Sequence, residues 1–340
     1  MTHRFPVKEI AVQSGLSTAT VDRVLNERAH VSPQTRRRVQ DAIAELTRQE
    51  SQLAARGRRF FIDIVAEAPV RFTHQIQQAT ESVLADFKPA ALRPRFTFAE
   101  TMSAAETDAI VDRIQRRGSQ GLCLKARNTE DTRQAVRKLQ GRGIPVVTVF
   151  TDLPDSDRLA YVGLNNQRAG RTAAYLMLKL LKDDDRTILT TLSQHSFQGE
   201  DDRFRAFRSE LLRLRPELNL IDASGGGGLS PATALEVRDK LQGVEAIAGV
   251  YSMGGGNLAI LRTLKEVGIE PGVFIAHDLD EDNLDLLRDE KLFLVLYHDL
   301  RADMRLALRH LLAFHGVGEP PRRTESDIQV VTPLNIPGDI

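Results

Sequence analysis

From Phe60 onward the sequence alternates, and this alternation limits the folds open to it more than any other feature. Short runs rich in β-branched or apolar residues stand at FFIDIV (60–65), RFTFA (95–99), GLCLK (121–125), PVVTV (145–149), TILTTL (187–192), LNLIDA (218–223), AIAGVY (246–251), VFIAHD (273–278) and LFLVLY (292–297). Between most of them lie stretches of helical period, such as Ala104 to Arg116 and Ala169 to Leu181. Strands alternating with helices predict parallel sheets covered on both faces, an α/β architecture. So many strands over ~280 residues exceed one compact layer and predict two lobes. The boundary is expected near Thr151 to Leu164, where the Pro/Asp-rich turn TDLPDSDRLAYVGL follows a buried strand.

The first sixty residues follow a different rule. Val7, Ile10 and Ala11 share one face at helical spacing, and Gly15 can end that helix with φ > 0. Ser17 is then an N-cap for a second helix, Thr18 to Leu25, and the sequence helix, glycine turn, capped helix is a helix-turn-helix pattern. In that motif the start of the second helix meets base edges in the major groove. After the loop Asn26 to Val31, Ser32 caps a third helix with Pro33 at its first position and Val39, Ile43 and Leu46 as its apolar stripe. Arg36, Arg37 and Arg38 oppose the dipole at that helix start, so a nearby phosphate backbone would offset their cost. A solvated charged face is the plain alternative for the same run.

Composition narrows the setting. The 340 residues carry equal numbers of basic and acidic side chains, but residues 1–60 hold eleven Arg/Lys against six Asp/Glu, a net of +5 that leaves −5 elsewhere. A basic head on a mildly acidic body is the footprint of a DNA-binding module joined to a domain with another task. With 41% hydrophobic and 27% charged residues the chain reads as globular. No apolar run approaches the ~18 residues of a membrane span, and residues 1–10 lack a signal-peptide core. Cys123 is the single cysteine, which fits a reducing compartment, so a cytoplasmic location is expected.

Residues 7–46 resemble the headpiece of the LacI/GalR family of bacterial transcription repressors. The match runs through Ile10-Ala11, Ser14-Gly15-Leu16-Ser17, Thr20-Val21, Arg23-Val24-Leu25-Asn26, Val31-Ser32, Thr35-Arg36 and Val39. The resemblance implies double-stranded operator DNA as partner, with Thr18 and Ala19 in the base-reading positions and Arg23 able to bond a guanine edge. Ser17, Thr20, Asn26, Val31, Ser32 and Thr35 would position the phosphate backbone. His30 is either a backbone contact or a loop residue. Asp22 replaces the serine of most relatives; it would accept from a cytosine amine or, more simply, hold Arg23 in its rotamer. With two small residues in the base positions, DNA shape would carry more of the specificity.

The resemblance makes Arg48 to Arg59 a hinge that wedges the minor groove from a homodimer. Here Arg56 rather than leucine precedes Gly57, and Leu53 lies a turn earlier. A wedge shifted to Leu53, minor-groove reading by Arg56, and a flexible tether all remain open. The expected division is 1–47 headpiece, 48–59 linker and 60–340 body, with lobe one about 60–160 plus 298–322 and lobe two about 161–297 plus 323–340.

PVVTVFTDLPDS, YVGLNNQRAGRTAAYLM and GGGNLAILRTLKEVG resemble segments of the family's body, a type I periplasmic-binding-protein-like fold. Such folds cross between lobes three times, here near 152–164, 297–300 and 318–325. The implied effector is a small sugar, polyol or sugar phosphate held in the cleft. Arg203 matches the family's ligand arginine, four residues before an aromatic at Phe207; an exposed helix arginine is the plain alternative. Asp278 matches a carboxylate at a strand end, and Asn257 would cap a helix facing the ligand. His298 or Asp299, Thr151 and Asp152, and Glu67 and Phe72 lie at crossovers or after the first strand, as ligands or as turn and capping residues.

Other patterns carry nothing. Asp278, Asp280 and Asp282 lack the glycine and bidentate glutamate of a calcium loop, since Asn283 and Asp289 stand at those positions. Gly225 to Gly228 is not a dinucleotide fingerprint, because Ser230 occupies the third glycine position; Ser230-Pro231 reads instead as an N-cap and first helical residue. No phosphate loop, nucleophile elbow or zinc motif occurs, so no cofactor or metal is expected, and Cys123 reads as core. A transporter's solute-binding protein and a sugar-metabolising α/β enzyme are the competing readings. The missing export signal and the basic head argue against the first, and the lack of a phosphate loop against the second.

Overall fold

The computed structural model describes residues 3–28, 31–55 and 57–338; the expectations placed on His30 and Arg56, and on the side chain of Leu53, lie outside what is described. The head comprises α1 (Val7–Ser14), α2 (Thr18–Leu25) and α3 (Pro33–Ala55) around a small core of Ile10, Ala11, Val21, Val39 and Ala42. Gly15 takes φ +63 at the end of α1, and Ser17 Oγ accepts from the Thr20 amide at 3.1 Å to cap α2. Ser32 caps α3 in the same way through the Thr35 amide at 3.1 Å. Arg38 is not simply part of a charged face: its Nη2 donates to the Ser14 carbonyl at 2.7 Å, so α3 satisfies an orphan acceptor at the end of α1.

α3 also runs past the expected break at residue 47, through most of the expected linker. Nothing between Thr47 and Ala55 interrupts a helix, and Glu45 accepts from Arg48 and Gln49 one turn on. The first breaker is Gly57, at φ +77.

The body begins with β1 (Arg59–Glu67), α4 (Val70–Val83), β2 (Ala91–Ala99), α5 (Ala104–Arg117), β3 (Gly121–Lys125), α6 (Glu130–Gln140), β4 (Val146–Val149) and β5 (Ala160–Leu164). There follow α7 (Asn166–Leu180), β6 (Thr187–Thr191), α8 (Gln198–Leu214), β7 (Asn219–Asp222), α9 (Ser230–Lys240), β8 (Gly249–Ser252), α10 (Asn257–Glu266) and β9 (Val273–His277). The described chain ends with α11 (Glu281–Arg288), β10 (Leu294–Tyr297), α12 (Leu300–Phe314), β11 (Glu325–Ser326) and β12 (Gln329–Val331).

These strands form two six-stranded sheets, ordered β11-β5-β4-β3-β1-β2 and β12-β10-β9-β8-β6-β7. All ladders are parallel except β10 with β12. Each lobe therefore repeats one doubly wound topology, with its order reversing between β1 and β3 or between β6 and β8. Apolar strands sandwiched by helices give each lobe a core on both faces, for example Ile62, Ile64, Val147 and Leu311 on one face of the first sheet.

Three details differ from the sequence expectation. β5 pairs with β4, so the lobe-one sheet extends to Leu164 rather than stopping at 160, and the first crossover is the Asn165 step. β11 at Glu325–Ser326 pairs with β5 and also belongs to lobe one, which moves the third crossover beyond Ser326. α9 starts one residue earlier than the Ser230-Pro231 reading implies, with Leu229 at the cap position. Among the described residues no helix is long and apolar enough to cross a membrane.

Candidate functional site

In open α/β sheets, ligands bind beyond the carboxyl ends of the strands where strand order reverses. Both lobes present that edge to a shared cavity. Glu67 ends β1, Lys125 ends β3, Ser193 follows β6 and Met253 follows β8, and all four line it. The cleft holds about 830 Å³ of space between atoms, part of it open to solvent.

Of the residues singled out in the sequence, Glu67, Phe72, Thr151, Arg203, Asp278 and His298 line this cavity. Arg203 is 5% exposed and projects from α8. Its Nε donates to Asn166 Oδ1 at 2.6 Å and its Nη1 to the Met253 carbonyl at 3.2 Å, which fixes the guanidinium plane. Asp278 sits at φ +66 just after β9, and Phe150 takes φ +65 just after β4. Both non-glycine residues hold left-handed backbone at the cleft rim, strain of a kind that persists where surroundings over-determine it. At Asp278 Asn283 supplies that determination, donating to the His277 and Asp278 carbonyls at 2.9 and 2.8 Å, and the Phe150 amide donates to the Val162 carbonyl at 3.0 Å. Asp278 Oδ1 is buried with no hydrogen-bond partner, and His298 Nε2 lies 3.7 Å from it.

His298 is anchored from behind by Asp303, with Nδ1 to Oδ2 at 2.5 Å. Burial pulls its pKa down, but the Asp303 charge and hydrogen bond outweigh that and raise it overall. Phe72 meets Phe150 edge-on at 5.5 Å, giving the cavity an apolar wall. Thr151 Oγ1 accepts from the Gly199 amide at 2.9 Å, a bond between the lobes. Glu67 is paired with Arg127 at 2.8 Å and accepts from the Met102 amide.

Four expected residues do not line the cavity. Asp152 is consumed by its own loop, bound to Arg158, Thr148 Oγ1 and the Leu153 amide. Phe207 is fully buried, packed on Tyr251 at 4.5 Å in the lobe-two core. Asp299 caps α12 through the Arg301 and Ala302 amides. Asn257 is the first residue of α10, with Gly256 in the cap position, and donates to Asn283 Oδ1 at 2.7 Å, so it supports Asp278 from one residue away.

The cavity also gathers residues the sequence did not flag. Lys125 Nζ donates to the Glu67 carbonyl at 3.0 Å and lies 4.1 Å from the Phe197 ring centre. Burial lowers its pKa, opposed by Glu200, Glu67 and Asp278. Glu200 accepts from the Ser193 amide and hydroxyl, and burial raises its pKa against the pull of Lys125. His277 is held neutral, its pKa pushed well down by burial, with Tyr251 hydroxyl on its Nε2 at 2.8 Å. Arg71 and Asp280 close one side. A buried lysine ending an apolar strand, as in GLCLK, is the one local signal that could have found Lys125. Arg71 has none, because its partners lie more than 150 positions away.

On the head, Ser17, Thr18, Ala19 and Arg23 form an exposed row at the start and outer face of α2. Thr20 and Val31 are partly covered, Thr35 is partly covered, and Ser32 and Asn26 are exposed. Asp22 does not hold Arg23. Its Oδ1 accepts from Asn26 Nδ2 at 2.9 Å, and its Oδ2 is 3.5 Å from Arg28, which leaves Arg23 unengaged by it.

Two sequence families match the chain: the periplasmic binding protein domain over residues 70–313, and the bacterial regulatory proteins of the lacI family over residues 7–47. No curated protein matches it. Among solved structures, a glucose-galactose binding protein, GanP, from Geobacillus stearothermophilus superposes with TM-score 0.72 at 15% identity, covering 82% of this chain and 99% of its own. A candidate LacI transcriptional regulator from Bacteroides fragilis gives TM-score 0.71 at 15% identity, with 82% and 98% covered. A transporter solute-binding protein from Burkholderia graminis, in complex with D-arabinose, gives TM-score 0.71 at 20% identity, with 82% and 96% covered. These likenesses establish the body's fold, and the match over residues 7–47 adds the head that the fold alone does not include. The chain belongs to the periplasmic binding protein domain family through its two-lobed body, residues 70–313, and carries at residues 7–47 the helix-turn-helix head of the lacI family of bacterial regulatory proteins.

Proposed function

We propose that the protein is a cytoplasmic, homodimeric transcriptional repressor that binds a twofold-symmetric operator and whose occupancy is set by a sugar or polyol in the cleft. The observation that carries this reading is the union, in one chain, of an exposed recognition helix and an interlobe cavity containing Arg203, Asp278 and phenylalanine walls. Hydroxyl-rich ligands need fixed polar groups against an aromatic or apolar wall. Arg203 spends Nε and one Nη1 hydrogen on the protein, and Asp278 Oδ1 has no hydrogen-bond partner there, so both retain capacity for hydroxyl groups. Solved proteins of this fold that bind glucose and galactose or hold D-arabinose support the same ligand class.

An unphosphorylated effector is favoured. Glu67, Glu100, Glu200, Asp278 and Asp280 line the cavity against Arg71, Lys125 and Arg203, so a phosphate would enter a site where carboxylates outnumber cations. Thr18, Ala19 and Arg23 would read the operator, with Ser17, Thr20, Asn26, Ser32 and Thr35 placed toward the phosphates. Titration of the protein against DNA from upstream of its own gene, with a panel of sugars, polyols and their phosphate esters, tests the whole reading. The expected result is a retarded complex at a symmetric site, altered by an uncharged member of the panel. No preference for such a site over random DNA at moderate salt would overturn it. A sugar bound with no DNA preference would favour a solute-binding role.

A further inference from the structure

Arg71 stands on the first turn of α4 in lobe one, yet both of its hydrogen-bond acceptors are in lobe two. Its Nε donates to Asp280 Oδ2 at 2.8 Å and its Nη2 to the Gly228 carbonyl at 2.9 Å. One turn later on the same face, Gln75 Nε2 donates to the Leu279 carbonyl at 2.7 Å. Asp280 divides its carboxylate, with Oδ1 capping α11 through the Asn283 amide at 2.8 Å and Oδ2 facing Arg71. The pair is largely shielded, Arg71 at 23% and Asp280 at 7% side-chain exposure.

The two glycine loops of lobe two shape the space around this guanidinium. Gly255 takes φ +83, and a Cβ there would lie 2.2 Å from Arg71 Nη2. Gly228 takes φ +67, and its Cβ would meet the Gly254 carbonyl oxygen at 2.3 Å and Arg71 Nη2 at 3.3 Å. Neither loop has the pattern of a phosphate or dinucleotide loop. Both are needed if backbone is to approach the arginine this closely.

We propose that the glycine loops and Asp280 are a built socket for Arg71, and that Arg71 latches the two lobes shut in the absence of effector. Because Arg71 also lines the cavity, an effector bound there meets a protein already biased toward closure. The conformational cost charged against effector affinity is reduced to the same extent.

The test uses the full-length protein without effector or DNA, spin-labelled at cysteines introduced by Asp108→Cys on α5 and Lys240→Cys on α9, exposed positions in different lobes. Cys123 is buried and leaves the labels to those two sites. The parent is expected to give one short, narrow interlobe distance. Arg71→Ala and Gly255→Ala are expected to lower the closed-to-open ratio by about tenfold, the scale of losing a charge-assisted hydrogen bond. Asp280→Asn, which keeps the shape of the socket, should fall between. Gly243→Ala changes a glycine at φ +76 with nothing within 4 Å and should leave the distances alone, which separates socket from backbone strain. A broad parent distribution overturns the latch, as does an unchanged distribution in Arg71→Ala or a Gly243→Ala effect equal to that of Gly255→Ala. None of these outcomes depends on whether the protein regulates transcription.

Discussion

Arg203 is held in the cavity wall by Asn166 and the Met253 carbonyl, so replacing it tests both packing and recognition. Arg203→Ala removes a fixed guanidinium from the site and leaves two buried acceptors unmatched. Hydrogen bonds to charged groups are worth about 1.5–3 kcal/mol each, so effector affinity should fall by roughly tenfold or more, with about 1–3 kcal/mol lost from stability. Operator affinity should stay as in the parent, since the head is untouched. Calorimetric titration of the effector and parallel DNA binding check this; an unchanged effector Kd would move the ligand away from Arg203. Arg203 was legible because a single residue four positions before Phe207 carries the family pattern. Phe207 was legible only as a spacer, for its ring belongs to the core against Tyr251. Asp152 and Asp299 show the ambiguity of acidic residues at strand ends, where loop bonding and helix capping satisfy the same chemistry that a ligand would. Lys125, Glu200, Arg71 and Asp280 meet through folding of distant segments, and no spacing along the chain encodes that meeting.

At the scale of the element, the three head helices were legible from their ends, because Gly15, Ser17, Ser32 and Pro33 act within four residues of themselves. The length of α3 was not, since a run without breakers sets no stop until Gly57. On α2 the physical question is what Asp22 does beside DNA. Its carboxylate is tied to Asn26 and lies near Arg28, both exposed, and stays on the helix surface. Asp22→Ala should therefore free Arg28 and remove one repulsion from the phosphate backbone. Affinity for random duplex should rise, and the slope of log K against log salt should steepen by up to about one, the increment for one added phosphate contact. Binding isotherms across a salt series measure it. A slope and affinity equal to the parent would mean that α2 meets DNA with Asp22 turned away from the backbone.

For the whole molecule, alternation of strands and helices was sufficient to predict two parallel lobes, because each βαβ step is local. The edges were not legible in the same way: β5 is placed by its pairing with β4 past a polar turn, and β11 acquires its lobe only by pairing Glu325 with the distant Gly163 of β5. Closure itself is also non-local, resting on Arg71 with Asp280, Gln75 with Leu279, Thr151 with Gly199 and Asn128 with Gln198. The covalent route from this closure to the head runs into α3, a single helix from Pro33 to Ala55, through the turn at Gly57, while Ala44, Thr47 and Arg48 of α3 also share a cavity with Phe87, Pro89 and Leu312 of lobe one. A rigid helix gripped at one end transmits rotation, whereas a glycine-rich insert transmits little more than proximity. Inserting a short Gly-Ser segment directly after Gly57 should leave effector affinity unchanged, because the cavity lies wholly in the two lobes. In the proposed homodimer it should lower operator affinity by loosening the spacing of the two heads. It should also shrink the effector-induced change in operator affinity, which for a useful switch is about 5–150-fold, toward onefold. Paired measurements of operator Kd with and without saturating effector decide the matter. Full retention of the fold-change in the insert variant would require a direct surface contact between body and head to carry the signal in place of the helix.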